Sequence, residues 1–213
     1  MRSERDRNVT AAYDDVAEIY ARLYVDDLDD RPTDHARVRA LAHDVRRGTG
    51  PILDIGCGPG HVTAELVALG ADAVGIEPSG SMLAEATRRF PGCPFVLGDM
   101  TALPCATGRA GGVLARYSTI HTPPTELQPA FSEFARVLRR GGSVLLFFHA
   151  ADPSEPHGES FDHRVATAYR ADPDRIAEAL TREGFTIDDV ARRPPAEGER
   201  FTQACVTARR SAG

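Results

Sequence analysis

Three histidines, His121, His149 and His163, have the side chain best suited to taking a proton from a bound hydroxyl or amine. Imidazole titrates at about 6.5, near enough to neutrality to serve as a general base. A second set of residues has the types that grip a nucleoside. Gly56-Cys57-Gly58-Pro59-Gly60 follows Asp54 and Ile55, and such a glycine loop lets a ligand approach bare backbone amides. Glu77 ends the next apolar run, at the spacing where a carboxylate can accept both hydroxyls of a ribose. Asp99 ends the run after that, where a carboxylate can accept an amino hydrogen of adenine while Met100 packs on the ring. Taken in order, the loop, Glu77 and Asp99 point to a ribosyl ligand in the crevice at the ends of the strands.

These side chains need elements to hold them. Apolar runs of strand length alternate with amphipathic segments of helix length, the pattern of an α/β fold with a mostly parallel sheet and helices on both faces. The runs predict strands at 51–55, 73–77, 95–97, 113–117 and 143–149. Helices are expected at 61–69, at 79–90 with Ser79 as N-cap, and from the Pro123-Pro124 pair to 139, where Gly141-Gly142 stops the helix. A helix at 173–182 and a hairpin of 187–191 with 202–207 close the sheet. Residues 151–168 carry prolines, acids and histidines without periodicity and read as a loop over a site. Tyr13, Val16, Ile19, Tyr20 and Leu23 recur at helical spacing, so 11–23 is a helix that covers the sheet or folds over a ligand.

In its motifs the chain resembles the class I S-adenosylmethionine-dependent methyltransferases, specifically the small bacterial members that act on small molecules. The resemblance rests on Ile52-Leu53-Asp54-Ile55-Gly56-Cys57-Gly58-Pro59-Gly60, Gly75-Ile76-Glu77-Pro78-Ser79 with Met82, Gly98-Asp99-Met100, Tyr117-Ser118-Thr119-Ile120-His121 and Arg136 to Gly142. It implies a Rossmann-like, doubly wound, seven-stranded sheet with an antiparallel last strand. It also implies S-adenosylmethionine as cofactor and S-adenosylhomocysteine as product, Glu77 on ribose, Asp99 on adenine, and Asp54 on the loop or the ligand's amino group. The expected cofactor site is Tyr13, Tyr20, Asp54, Gly56, Cys57, Gly58, Gly60, Glu77, Pro78, Ser79, Met82, Gly98, Asp99, Met100, Arg116 and Tyr117. The expected organisation is one domain, 1–213, with helices in 1–50 over the cofactor and 151–170 as a substrate-side loop. Relatives usually have an apolar or aromatic residue in place of Arg116 and an acid before the fourth strand, where this chain has Gly111-Gly112. Arg116 either holds a substrate carboxylate or pairs with a nearby acid.

Methyl transfer from a sulfonium is a direct displacement, which chiefly requires alignment and exclusion of water. His121 is the first choice as base because it follows the fourth strand. Two alternatives stay open: a reaction such as cyclisation that leaves the cofactor unchanged, and nicotinamide-dependent oxidoreduction. The loop disfavours the second, since His61 stands where G-x-G-x-x-G needs its third glycine. The net charge of −6 argues against a nucleic-acid partner, and the arginine pairs 88–89, 139–140 and 192–193 read as solvated surface. Asp152, Glu155, His157, Glu159, Asp162 and His163 follow no metal-ligand frame, so no metal is expected. The four cysteines are unpaired in pattern, no apolar run could cross a membrane or direct export, and the expectation is a cytoplasmic monomer or homodimer.

Overall fold

Successive residues of a strand face opposite sides of its sheet, and here both sides are apolar, so the sheet must be covered twice. The computed structural model describes the chain except residues 1–2, 24–30, 46–47, 153, 155–156, 197 and 213. Helices α1 (Glu4–Leu23) and α2 (Pro32–Asp44) precede β1 (Ile52–Ile55), α3 (His61–Ala68), β2 (Ala73–Glu77), α4 (Gly80–Arg89) and β3 (Phe95–Leu97). Then come β4 (Ala110–Arg116), a 3-10 turn (Pro124–Glu126), α5 (Gln128–Val137), β5 (Leu138–His149), β6 (Ser160–Phe161) and β7 (Ala168–Tyr169). The chain ends with α6 (Pro173–Arg182), β8 (Phe185–Arg193) and β9 (Gln203–Arg210).

The main sheet has seven strands in the order β3-β2-β1-β4-β5-β9-β8. All neighbours up to β5 are parallel, and β9 inserts antiparallel to both β5 and β8. Leu53, Val113, Leu146 and Phe148 pack with Phe131 and Phe134 of α5 and Leu180 of α6. The residues between them, Ile52, Leu114, Leu145 and Phe147, pack with Val38 and Leu41 of α2 and Leu66 of α3. Strand order reverses between β1 and β4, and that switch opens a crevice at the strands' C-terminal ends.

Several expectations are corrected. The helix from Pro123 to 139 is two pieces: Pro123 and Pro124 start only the 3-10 turn, and α5 begins afresh with Pro129 in its first turn. It stops at Val137, because Leu138 turns extended and pairs with Ala110, drawing Arg139 and Arg140 onto β5 and Gly111 and Gly112 into β4. Tyr117 lies beyond β4, not within it. On α1 the buried stripe is Ala17 and Ala21, whereas Ile19 and Leu23 are 63% and 68% exposed. Small residues there let the helix approach closely. The segment 151–168 contains β6, which pairs with β7 as a ribbon. Arg193 is not solvated surface: it pairs with Glu199 at 2.7 Å and Asp34 at 3.5 Å.

Gly111 accounts for the glycine pair in place of the usual acid. A Cβ there would stand 2.6 Å from Val45 Cγ1 and 2.7 Å from the Gly50 carbonyl oxygen. Gly111→Val should therefore lower stability by ~1–3 kcal/mol through overpacking against backbone. An unchanged thermal midpoint would contradict this packing.

Candidate active site

The crevice holds a cavity of about 890 Å³, within the range of small-ligand sites. Nearly every expected site residue lines it: Tyr13 and Tyr20 from α1, Asp54 to Gly58 from the end of β1 and its loop, Glu77, Pro78 and Met82 from the end of β2 onward, Gly98 to Met100 after β3, and Arg116 and Tyr117 at the end of β4 and just after it. His121, His149 and His163 line it too. Gly60 and Ser79 stand behind the wall. Gly60 is the N-cap of α3, where a Cβ would meet the Phe95 ring at 2.6 Å. Ser79 caps α4 by accepting the Met82 N–H at 3.1 Å.

At the glycine-loop end Glu77 and Asp54 are buried and Asp99 half-buried, and each carboxyl is held by hydrogen bonds. Glu77 accepts the Gly58 N–H at 2.8 Å and the Ser79 N–H at 2.9 Å, which ties the glycine loop to the start of α4. Gly58 has φ +53°, a left-handed conformation that glycine adopts without strain, and no atom lies within 4 Å of the Cβ it lacks. Asp99 Oδ1 accepts the Thr101 N–H at 2.8 Å and its hydroxyl at 2.6 Å, so the carboxylate is fixed in direction. Asp54 accepts the Thr63 hydroxyl at 2.6 Å. Cys57 is buried, its thiol pushed up by burial and packed where a Gly75 Cβ would be. Among the described residues, the Ser118 hydroxyl and both His61 nitrogens are buried at this wall without a hydrogen-bond partner. A loop with room at Gly58, two fixed carboxyls and these polar atoms fit a nucleoside with a polar tail.

At the other end the histidines converge. Nδ1 of His121 lies 2.8 Å from the Thr167 carbonyl, which only accepts, so Nδ1 carries the hydrogen and Nε2 is the basic atom. Nε2 is 2.9 Å from the Tyr13 hydroxyl, which therefore donates to it. His163 packs edge-on against His121 at 5.2 Å between ring centroids, and His149 lies against Tyr117 at 5.3 Å. His149 Nδ1 donates to Gln203 Oε1 at 3.0 Å. Tyr117 adopts φ +54°, the one positive φ outside glycine among the described residues. Such strain persists where surroundings fix it; here its hydroxyl donates to Asp34 at 3.1 Å. Arg116 lies 5.3 Å over the Tyr117 ring and close enough to Asp54 to favour its ionisation, so an acid does neighbour it.

Helix α1 is pinned over this cavity. Asp14 accepts the Ser79 hydroxyl at 2.6 Å and the Ser81 N–H at 2.9 Å, and Arg5 pairs with Glu126 at 2.8 Å. Phe161, Phe201, Arg31 and Ser118 also line the site, and sequence reasoning missed them. Isolated aromatics in an aperiodic segment were the only signal. The acids and histidines of 151–168 do not converge on an ion: Glu159 pairs with Arg170, His157 accepts the Asp172 N–H, and Asp152 accepts from Ser154. Glu155 lies outside the described residues. Among the described residues no three metal-ligating side chains gather, and no helix is long and apolar enough to cross a membrane.

Burial sets the protonation of the site. It pushes the Glu77 carboxyl up to about 7 and Asp54 up to about 6, holds His121 below its ordinary value, and lowers His149 and His163 to about 4. A carboxyl raised by folding favours the fold at low pH and loses that contribution as pH rises through its folded value. The lowered histidines act in the opposite sense. Glu77→Gln isolates the carboxyl: relative to wild type, the variant should gain on the order of 3 kcal/mol between pH 4.5 and 7 in chemical denaturation. A difference that stays constant with pH would contradict a buried, ionising Glu77.

Comparison with known proteins agrees with this geometry. Residues 52–142 match the family model described as a methyltransferase domain. An uncharacterised methyltransferase of Oceanobacillus iheyensis is 26% identical over 178 residues, covering 81% of this chain and 82% of that one. Among solved structures, the 1,6-didemethyltoxoflavin-N1-methyltransferase of Burkholderia thailandensis, with its substrate and S-adenosylhomocysteine bound, superposes with a TM-score of 0.75 at 19% identity, covering 99% of this chain and 92% of that one. The [4+2]-cyclase SpnF gives 0.68 at 21% identity, covering 86% of this chain and 82% of the cyclase. With the glycine loop, the switch-point cavity and the antiparallel strand β9 in place, residues 52–142 match a methyltransferase domain, and the chain shares its fold with solved S-adenosylmethionine-dependent methyltransferases.

Proposed function

We propose that the protein transfers the methyl group of S-adenosylmethionine to a small molecule, with Tyr13 and His121 taking the acceptor's proton. The observation that carries this reading is the single cavity that joins the two fixed carboxyls to the Tyr13–His121 pair. The cofactor supplies an electrophilic methyl carbon on sulfur. Glu77 has lone pairs left for two ribose hydroxyls, and Asp99 with Met100 suits adenine, bordered by Pro78, Met82 and Gly98. The amides of the glycine loop, Asp54, Ser118 and Arg116 suit the charged amino-acid end. Tyr13 and Tyr20 close the site from α1, and Tyr117 borders the cofactor where it meets the acceptor.

An acceptor O–H or N–H placed against the Tyr13 hydroxyl gives its proton to the phenolic oxygen as the phenol's own proton passes to His121 Nε2. The acceptor lone pair is thereby freed to form the new bond to carbon. The Thr167 carbonyl accepts from Nδ1–H and stabilises the imidazolium that forms. A burial-lowered His121 is neutral at pH 7 and ready to accept. The SpnF likeness extends to the fold alone, but it makes a cofactor-preserving reaction the rival to exclude.

Incubation with methyl-labelled S-adenosylmethionine and a metabolite extract should label one class of small molecule, with S-adenosylhomocysteine formed in equal amount. Product without S-adenosylhomocysteine would favour the rival. His121→Ala should lower turnover at least tenfold, and Tyr13→Phe should lower it too, while S-adenosylhomocysteine still binds. Full turnover in His121→Ala would remove the base.

A further inference from the structure

The half of the cavity over β4, β5 and β9 has an unusual wall. Three aromatic residues and three histidines there form a continuous run of rings in contact. Tyr117 meets His149 at 5.3 Å between centroids, His149 meets Phe161 at 5.4 Å, Phe161 meets Phe201 at 4.7 Å and His163 at 6.3 Å, and His163 meets His121 at 5.2 Å. All six line the cavity. Their contacts are edge-to-face or tilted, the arrangement aromatic pairs prefer.

The rings are fixed before any ligand arrives. Arg170 and Arg200 place their guanidinium carbons 4.7 and 5.0 Å from the Phe201 centroid, and Arg200 lies 5.8 Å from that of Phe161. Phe161 is held on the β6–β7 ribbon, which is anchored by the Tyr169 N–H to the Ile120 carbonyl at 2.8 Å. The half-buried His149 and His163 are uncharged near neutral pH, so their faces act as aromatic surface and not as cations. A preordered wall of rings favours a flat aromatic partner, because edge-to-face and offset ring contacts add to plain apolar burial.

On the reading that this cavity is the methyl-acceptor site, we propose that the acceptor is a planar aromatic molecule, held by ring–ring contacts with this wall at Phe161 and its neighbours and with a ring hydroxyl or ring N–H directed at Tyr13. An aliphatic acceptor would gain apolar burial there but no ring–ring contact. This assigns a role to 151–170 that its irregular sequence conceals: the segment contributes two rings, Phe161 and His163.

The test compares flat with saturated ligands of the same outline. Isothermal titration of the protein saturated with S-adenosylhomocysteine would use phenol against cyclohexanol and 2-naphthol against decahydro-2-naphthol. The saturated partners are no less apolar, so a preference for the flat ones reports ring–ring contact. At least tenfold tighter binding of 2-naphthol than of its saturated partner is expected. Phe161→Leu with Phe201→Leu, which keeps apolar bulk, should reduce that ratio below threefold while S-adenosylhomocysteine binds as before. Equal affinities within a pair, or no binding of either naphthol while S-adenosylhomocysteine binds, would overturn the aromatic acceptor. Failure of S-adenosylhomocysteine itself to bind would overturn the cofactor reading and the proposal with it.

Discussion

Glu77 ends β2 with its carboxyl turned inward, where one oxygen takes the Gly58 N–H and the other the Ser79 N–H. That arrangement couples the glycine loop after β1 to the end of β2 and, two residues on, to the N-cap of α4. It works only because Gly58 can adopt a positive φ, and because burial without these two donors would be costly for any carboxyl. The acid is thereby both a structural bridge and the group best placed to receive paired hydroxyls.

The coupling extends outward from Ser79. Its hydroxyl binds Asp14, and the next residue back along α1 is Tyr13, so the cap of α4 also sets where the N-terminal helix lies over the cavity. Tyr13 then meets His121, whose other nitrogen is tied to the Thr167 carbonyl beside β7. The glycine loop, Glu77, helix α1, His121 and the segment before β7 form one path of hydrogen bonds, joined through the peptide link of Tyr13 to Asp14. Loosening one member should be felt at its neighbours, since hydrogen bonds in such networks support one another.

Much of this was legible in the sequence because it is local. A strand, a glycine loop and an acid at the next strand's end are read within a few residues, and the strands 73–77 and 95–97 fell where expected, as did the cap at Ser79. The seven-stranded sheet with an antiparallel last strand followed from the family resemblance. What was not legible depends on contacts distant in the chain. Nothing local says that Leu138 will leave its helix to pair with Ala110, that alanines and not Ile19 form the buried stripe of α1, or that Phe161 and Phe201 meet across 40 residues. Arg193 looked like solvated charge because its partners Asp34 and Glu199 come from other elements. The histidines were found by type, but only the fold pairs His121 with Tyr13.

The central claim is that one cavity seats the cofactor's ribose on Glu77 and turns its sulfur toward the Tyr13–His121 pair. A crystal structure with S-adenosylhomocysteine bound measures this directly. The account predicts both ribose hydroxyls within about 3 Å of the Glu77 carboxylate oxygens, with the sulfur facing the Tyr13 hydroxyl across the space that an acceptor would fill. A ribose bound away from Glu77, or a sulfur turned from Tyr13 and His121, would contradict it.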